Sequence, residues 1–363
     1  MRVALIGDMA FYGAYGIKSN KHLPEKLKDI SLYLKQFDCV VGNLETPFSL
    51  KKKTNGAKSA YICADVECVE LLKQLNISAV CLANNHMFDF GEEGYECTLD
   101  TLHGANIDYF GTDGKEYVFI KDDNKVVFSG FCCYTSNPLQ MATYYGAHGV
   151  NVYNLKTVSD LIKSKNDAGF LNIVSVHAGI EHVNYPDIDH IKAAHQLARV
   201  APYVYYGHHP HVIQGLETFE GSLIAHSLGN FCFDDVYTSS SSKPLVELTE
   251  NNRKGLILEI EIKENRVVGY NETVIYIGGD GQIQILKYPQ EINEYNSALQ
   301  NALLDPEYKD KRLSIISSRL DERKNNRNII WYLKRLRPRY AQILLNARNN
   351  AKAYVTNVKQ YIK

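Results

Sequence analysis

Five short segments of the 363-residue chain concentrate the side chains that do acid–base and metal chemistry. They are Gly7-Asp8, Gly42-Asn43-Leu44-Glu45, the run Ala83-Asn84-Asn85-His86-Met87-Phe88-Asp89, His177-Ala178-Gly179-Ile180-Glu181, and Gly207-His208-His209-Pro210-His211. Singly, most have a plain structural reading. An aspartate after a first strand caps a turn or helix more often than it binds an ion. Asn84-Asn85 is a good turn pair, and Glu45 before Thr46-Pro47 fits a turn cap. A lone His177 at a strand end more often satisfies a hydrogen bond. Three histidines within the four residues 208–211 leave less room for that kind of reading. Taken together, Asp8, Glu45, Asn85, His177, His209 and His211 read as ligands of a divalent site for one or two ions. Oxygen and imidazole donors without sulfur suit manganese, iron or zinc rather than a structural cysteine-bound zinc.

These segments converge only if the intervening elements bring them to one edge. Apolar runs at 2–6, 38–41, 79–83, 125–133, 171–176, 203–206 and 222–226 read as strands. Segments 24–36, 68–75, 92–103, 155–167 and 187–200 read as helices. That alternation predicts a layered α/β fold with buried, almost continuously apolar central strands. Ligands in such folds collect beyond the carboxyl ends of the strands, where all five segments fall. Three alternating stretches, 256–262, 267–277 and 282–288, predict a β-meander that packs as a second sheet on the first. Gly278-Gly279-Asp280-Gly281 between two of them reads as a hairpin turn, and the serine-rich run 238–243 as a surface loop. From about Ile292 the chain is helical and lacks glycine. The expected division is one domain over 1–290 and a helical extension over 291–363.

Composition narrows the function classes. Hydrophobic residues at 45% and charged residues at 22% are an ordinary globular balance and exclude a disordered chain. Eight cysteines without a Cys-x-x-Cys pair read as reduced and buried. The net charge of −1 conceals a split: residues 305–363 carry 15 Lys+Arg against 5 Asp+Glu, and the remainder 25 against 36. An acidic body and a basic tail without interleaved aromatics argue against nucleic acid as a partner. The apolar run 3–6 is too short for a signal peptide, and no stretch approaches the roughly 18 apolar residues of a membrane span. The chain is therefore expected to begin at Met1 and to lie in the cytoplasm, at most peripheral to the inner face of the membrane.

Asn-Leu-Glu (43–45), Ala-Asn-Asn-His-x-x-Asp-x-Gly (83–91), His-x-Gly-x-Glu (177–181), Gly-His-His-Pro-His (207–211) and Ser-Leu-Gly-Asn-Phe (227–231) occur in this order. Over about residues 1–235 the chain thereby resembles the CapA proteins of capsule and poly-γ-glutamate synthesis, which are similar to calcineurin-like metallophosphoesterases. The resemblance implies a four-layer α/β/β/α sandwich with a metal site at one edge of the two sheets. It implies Asp8 and His211 on one metal, Glu45 between two, and Asn85, His177 and His209 on the second. It implies His86 as the histidine that stabilises the transition state, Asp89 as the residue that orients it, and Glu181 as an acid or base reaching the same pocket. His208 is left between ligand and support, and Gly229 is expected to allow a turn near the metal loop. Ala10 stands where the wider superfamily has a metal-binding histidine, and Ala178 where it has an aromatic residue. The implied function is a metal-dependent hydrolase or transferase in which activated water attacks a phosphoester or amide. Its substrate would be a surface polymer, polysaccharide or poly-γ-glutamate, or a precursor of one. The alternative is an accessory protein that binds polymer or a synthase partner.

In the tail, Tyr340, Ile343, Leu344, Ala347, Ala351, Tyr354, Val355 and Val358 recur at three- and four-residue steps, with further apolar residues at 329–336, while Arg335, Arg339, Arg348, Lys352 and Lys359 crowd elsewhere. That spacing predicts an amphipathic helix, interrupted near Arg337 by Pro338. It reads as an appendage on the sandwich or on a second subunit, as a basic surface for anionic lipid or a membrane-bound synthase complex, or as a tail docked on the acidic body. As a tether, it is expected to be dispensable after about Asp305.

Overall fold

The computed structural model describes residues 1–50, 58, 60–142, 148–237, 243–286, 290–325 and 338–362. Val3, Ala4, Leu5 and Ile6 are all fully buried, which places their strand at the centre of a sheet. Strands β1 (Arg2–Met9), β2 (Cys39–Leu44), β3 (Ala79–Cys81) and β4 (Asp108–Phe110) pair in parallel. Between them run helices α1 (Leu23–Lys26), α2 (Lys28–Leu34), α3 (Val69–Gln74) and α4 (Gly91–Gly104). The segment expected as one helix over 24–36 is thus two, because Leu27 (φ −86°, ψ 0°) leaves the helical region between them.

The second sheet comprises β5 (Tyr117–Lys121) and β6 (Asn124–Cys132), then, beyond the small pair β7 (Met141–Ala142) and β8 (Val150–Asn151), β9 (Leu171–His177), β10 (Tyr203–His208), β11 (Leu216–Phe219) and β12 (Ser222–Ala225). Its order is β11-β12-β10-β9-β6-β5. Helices α5 (Leu155–Asp167) and α6 (Ile188–Ala198) make the crossovers. The Asn154 side chain caps α5 by accepting from Thr157 N, and Leu155, Val158, Leu161 and Ile162 form its buried stripe.

The two sheets meet face to face. Phe110 of β4 lies 6.0 Å from Phe128 of β6, and a Cβ on Gly130 would collide with Cys81 Sγ across the interface. The outer face of the second sheet, with Phe131, Val174 and Tyr203, packs on Val158, Ala194 and Leu197 of α5 and α6. Ile30, Leu34, Leu72 and Leu102 of the other helices join the core of the first sheet. The layers are therefore α/β/β/α.

The predicted meander does not build a second sheet. The chain returns through β13 (Asn230–Cys232), and then β14 (Lys254–Lys263), β15 (Arg266–Ile277) and β16 (Ile283–Ile285) extend the first sheet, in the order β16-β15-β14-β1-β2-β3-β4. β14 lies antiparallel on the free edge of β1, with Leu5 opposite Leu258. Alternation states which face of a strand is buried; it does not state which edge the strand joins.

The tail is not a free tether but packs on the body. Its helices are Gln290–Gln300, Pro306–Asn325 and Pro338–Asn357. Leu299, Ala302 and Tyr308 bury against Val183, Tyr185 and Ile191, and the Tyr308 hydroxyl donates to Pro186 O at 2.9 Å. Arg312 pairs with Asp187 at 2.7 Å and Lys359 with Asp189 at 3.3 Å. Val358 is fully buried beside Leu155 and Leu197. Cutting after Asp305 would uncover these surfaces. Of the predicted apolar stripe, Val358 turns inward, Leu344 and Val355 turn outward, and 329–336 lie outside the described residues, as do Arg337 and most of the 238–243 loop. Among the described residues, no helix is long and apolar enough to cross a membrane.

Candidate metal centre

β1, β2, β3, β9 and β10 each end at or beside one of the five motif segments. β1 runs on through Asp8, with its register against β2 shifting there. Gly7 makes the closure possible: a Cβ would collide with the Gly229 carbonyl, to which Asp8 N donates at 2.9 Å. Gly229 itself sits at φ +67°, a region open to glycine.

Asp8, Glu45 and His211 direct donor atoms into one volume. One atom from each lies within 4.8 Å of the others, and all three side chains are buried. His211 Nδ1 is 3.4 Å from Asp8 Oδ2, and its Nε2 is 3.5 Å from Glu45 Oε1. Nδ1 also donates to Asn230 Oδ1 at 2.9 Å. Asp8 Oδ1 accepts from Asn43 Nδ2 at 2.8 Å, and Oδ2 accepts from His209 N at 3.2 Å. His208 Nδ1 stands 2.9 Å from Asp8 Oδ1 without hydrogen-bond alignment, a close electrostatic contact between two fully buried side chains. Neither oxygen of the fully buried Glu45 has a hydrogen-bond partner among the described residues.

Asn85, His177 and His209 form a second set. His177 Nε2 donates to Asn85 Oδ1 at 2.8 Å, and the His177 and His209 rings are 4.8 Å apart. The Nδ1 atoms of both rings are buried and lack hydrogen-bond partners among the described residues. His209 and His211 hold positive φ angles of +93° and +55°, uncommon for histidine. The loop is held in that shape by His182 N donating to Pro210 O at 2.6 Å and by Asn252 Nδ2 donating to His211 O at 2.8 Å.

The electrostatics follow from burial set against neighbours. Burial pushes the Glu45 carboxyl up to about 8, with Asp8 and Glu181 adding to the effect and His211 opposing it. Burial would also lower His211, yet the Glu45 and Asp8 carboxylates raise it to about 10. Asp8 is held well below the usual carboxylate range because His208 and His211 outweigh its burial. Burial lowers His209 to about 4 and holds His177 well below its ordinary value. Buried carboxylates in excess, unpaired oxygens and neutral imidazoles make a donor set that fits a divalent cation.

At the rim, His86 Nδ1 lies 2.6 Å from Asp89 Oδ2, and His86 Nε2 lies 3.9 Å from Glu45 Oε1. Lys58 Nζ donates to Asp89 Oδ1 at 2.9 Å and to Asn85 O at 2.6 Å. Burial lowers the His86 pKa, Asp89 opposes that, and Lys58 adds to it. Glu181 borders a cavity of about 50 Å³ together with His86 and His211, and Ile62, Phe233 and Val246 supply an apolar wall.

Sequence reasoning missed Lys58, Asn230 and Asn252. Lys58 belongs to a polar, lysine-rich run without periodicity. Asn230 sits in the 227–231 motif, to which only a structural role was assigned. Asn252 carries no local signal.

Residues 2–235 match the family described as bacterial capsule synthesis protein PGA_cap. The capsule biosynthesis protein CapA of Bacillus anthracis is 30% identical over 244 residues, covering 64% of this chain and 59% of that protein. The PGA biosynthesis protein CapA of Bacillus subtilis (strain 168) is 28% identical over 216 residues, covering 58% of this chain and 57% of that protein. The chain thus spans less than two thirds of the length of these curated relatives. Among solved structures, a putative 5'-nucleotidase from Staphylococcus aureus aligns with a TM-score of 0.48 at 10% identity, covering 83% of this chain and 58% of that one. With its match over residues 2–235, the chain belongs to the PGA_cap family of bacterial capsule synthesis proteins.

Proposed function

We propose that the chain is a metal-dependent hydrolase or transferase in capsule or surface-polymer biosynthesis, acting on a phosphoester or an amide of the polymer or its precursor. The observation that carries this reading is Glu45, a fully buried carboxylate with neither oxygen hydrogen-bonded among the described residues, 3.5 Å from His211. Asp8, Glu45 and His211 would hold one ion, and Asn85, His177 and His209 a second beside it. A divalent ion bound there supplies a Lewis acid that polarises a substrate oxygen and acidifies water. Asp89 Oδ2 lies 2.6 Å and Lys58 Nζ 3.1 Å from His86 Nδ1; a proton on Nδ1 toward Asp89 would leave Nε2 facing the site. From there Nε2 exchanges a proton with the leaving group. Asp89 fixes the ring, and Lys58 fixes Asp89. Glu181, at the cavity wall, would serve as a further acid or base.

The second reading, a non-catalytic protein that binds polymer or a synthase partner, is favoured by Ala10. This residue is fully buried and offers no donor on the Asp8 side. Protein purified without chelator should contain a divalent transition metal by mass spectrometry. With Mn²⁺ added it should turn over a generic phosphodiester or a γ-glutamyl amide. Bound metal without turnover on either class would select the accessory reading, and absence of metal binding would sink the hydrolase reading.

A further inference from the structure

The charge of the tail has no counterweight within it. Eleven Lys and Arg follow Glu322, and no Asp or Glu does. Helix Pro338–Asn357 is fastened to the body along one face. Asn350 Nδ2 donates to Asn137 Oδ1 at 2.9 Å, and Asn154 Nδ2 donates to Asn357 Oδ1 at 2.9 Å. The Tyr354 ring stands 6.1 Å from His190. The opposite face carries Leu344, Leu345 and Val355, which are 71%, 53% and 52% exposed. Arg348 and Lys352 are exposed in the same three- and four-residue rows.

An apolar patch interleaved with cations, with no acidic residue on the helix, asks for a partner that is apolar and anionic together. A protein groove meets that demand only with acidic residues placed around it. A bilayer of anionic lipid meets it everywhere on its surface, through acyl chains below and phosphate headgroups above. We infer that the outward face of helix Pro338–Asn357 docks the chain on an anionic membrane surface, with Leu344, Leu345 and Val355 in the headgroup boundary and Arg348 and Lys352 among the phosphates. The helix is anchored near the strand ends that carry the candidate site. Asn137 follows β6, whose last residue, Cys132, is in register with His177, and Asn154 follows Tyr153, whose N donates to Cys132 O at 2.9 Å. Docking therefore holds that edge close to the lipid. The inference does not depend on the catalytic reading.

The test is flotation of the full chain with vesicles of phosphatidylcholine alone and of phosphatidylcholine mixed with phosphatidylglycerol. The chain should float with the anionic vesicles only, and less so as salt rises. Arg348→Ala with Lys352→Ala should lower partition about thirtyfold, as expected for two basic side chains at a lipid surface. Leu344→Ser, Leu345→Ser and Val355→Ser together should abolish flotation. Lys156→Ala with Lys163→Ala, on the exposed side of α5, should change nothing. Equal binding to both vesicle types, or tail variants that float like the parent, would overturn the inference. So would failure of the full chain to float with either vesicle, which would leave this face to a protein partner.

Discussion

At Glu217, on β11, the His226 Nε2 donates to Oε1 at 3.0 Å, and His195 Nε2 stands 3.0 Å from the same oxygen. His195 is in turn stacked on Phe219, with ring centroids 3.9 Å apart and planes 5° apart. Burial would raise the Glu217 carboxyl, but the two histidines outweigh it and bring it down to about 2. At Glu45, fully buried beside a histidine where Glu217 is only partly buried, burial wins and the carboxyl rises to about 8. The residue types are the same and the outcomes opposite. One carboxylate is shared by two imidazoles and is satisfied by the protein. The other shares the His211 imidazole with Asp8 and Glu181, has His86 no nearer than 3.9 Å, and has neither oxygen hydrogen-bonded among the described residues. A buried carboxylate closed by its own neighbours belongs to the architecture; one left in excess is kept for a positive charge from outside.

The largest effect that sharpens this contrast is expected at the unsatisfied cluster. Asp8→Asn should lower divalent-metal affinity by more than about 100-fold, beyond the range typical of residues that merely support ligands. Turnover should be lost with the metal. Glu217→Gln should retain full metal content, and metal loss there would break the comparison. His86→Ala should keep its metal while turnover falls by about 10²–10⁴-fold, the usual weight of a general acid or base. Metal analysis beside activity separates these outcomes, and loss of metal from the His86 variant would make His86 a ligand.

A smaller effect is expected at Glu217 itself and reads out in acid. Its carboxyl lies at about 2 in the folded chain against an ordinary 4.5. The folded state therefore binds fewer protons than the unfolded one between those values. The stabilisation is fully present above 4.5 and is lost as pH falls through about 2. Its size is on the order of 3 kcal/mol. Denaturant titrations from neutral pH downward should show the parent losing that much more stability than Glu217→Gln, with or without added metal. Parallel curves for the two proteins would mean that the histidine pair does not hold this carboxylate.

Most of the candidate site was legible because strand ends announce themselves. Asp8, Glu45, His177, His209 and His211 each stand where an apolar run stops. Their supports were not legible, because a hydrogen bond such as that from Asn252 to the His211 carbonyl joins residues 41 positions apart and leaves no local pattern. Lys58 reaches Asp89 from a run that reads as solvated surface. β14 was visible as a strand from its alternation, but its place on the edge of β1 depends on which edge was free. In the tail, spacing identified the helix but not its docked face, which Asn350 and Asn357 settle by polar bonds to the body.

The smallest effect tests the other cluster near neutral pH. Glu45 is raised to about 8 from 4.5, and His211 to about 10 from 6.5. Both shifts mean that the folded, metal-free chain holds protons that the unfolded chain has released. The His211 contribution is complete below 6.5 and is lost as pH rises through about 10, while the Glu45 penalty accumulates from 4.5 to about 8. Both slopes therefore run the same way, and the metal-free protein should lose stability as pH rises from 7 to 8. The loss should be on the order of 1–2 kcal/mol, set by one or two extra bound protons. A divalent ion takes the place of those protons, since ligation requires ionised carboxylate and neutral imidazole. Stabilisation by Mn²⁺ should therefore grow with pH over the same interval, read as the difference in melting temperature with and without the ion. Glu217 contributes nothing in this range, its titration lying in acid. If Mn²⁺ stabilised the chain equally at both pH values, the Asp8–Glu45–His211 cluster would not be the place where the ion displaces protons, and the contrast between the two clusters would fail.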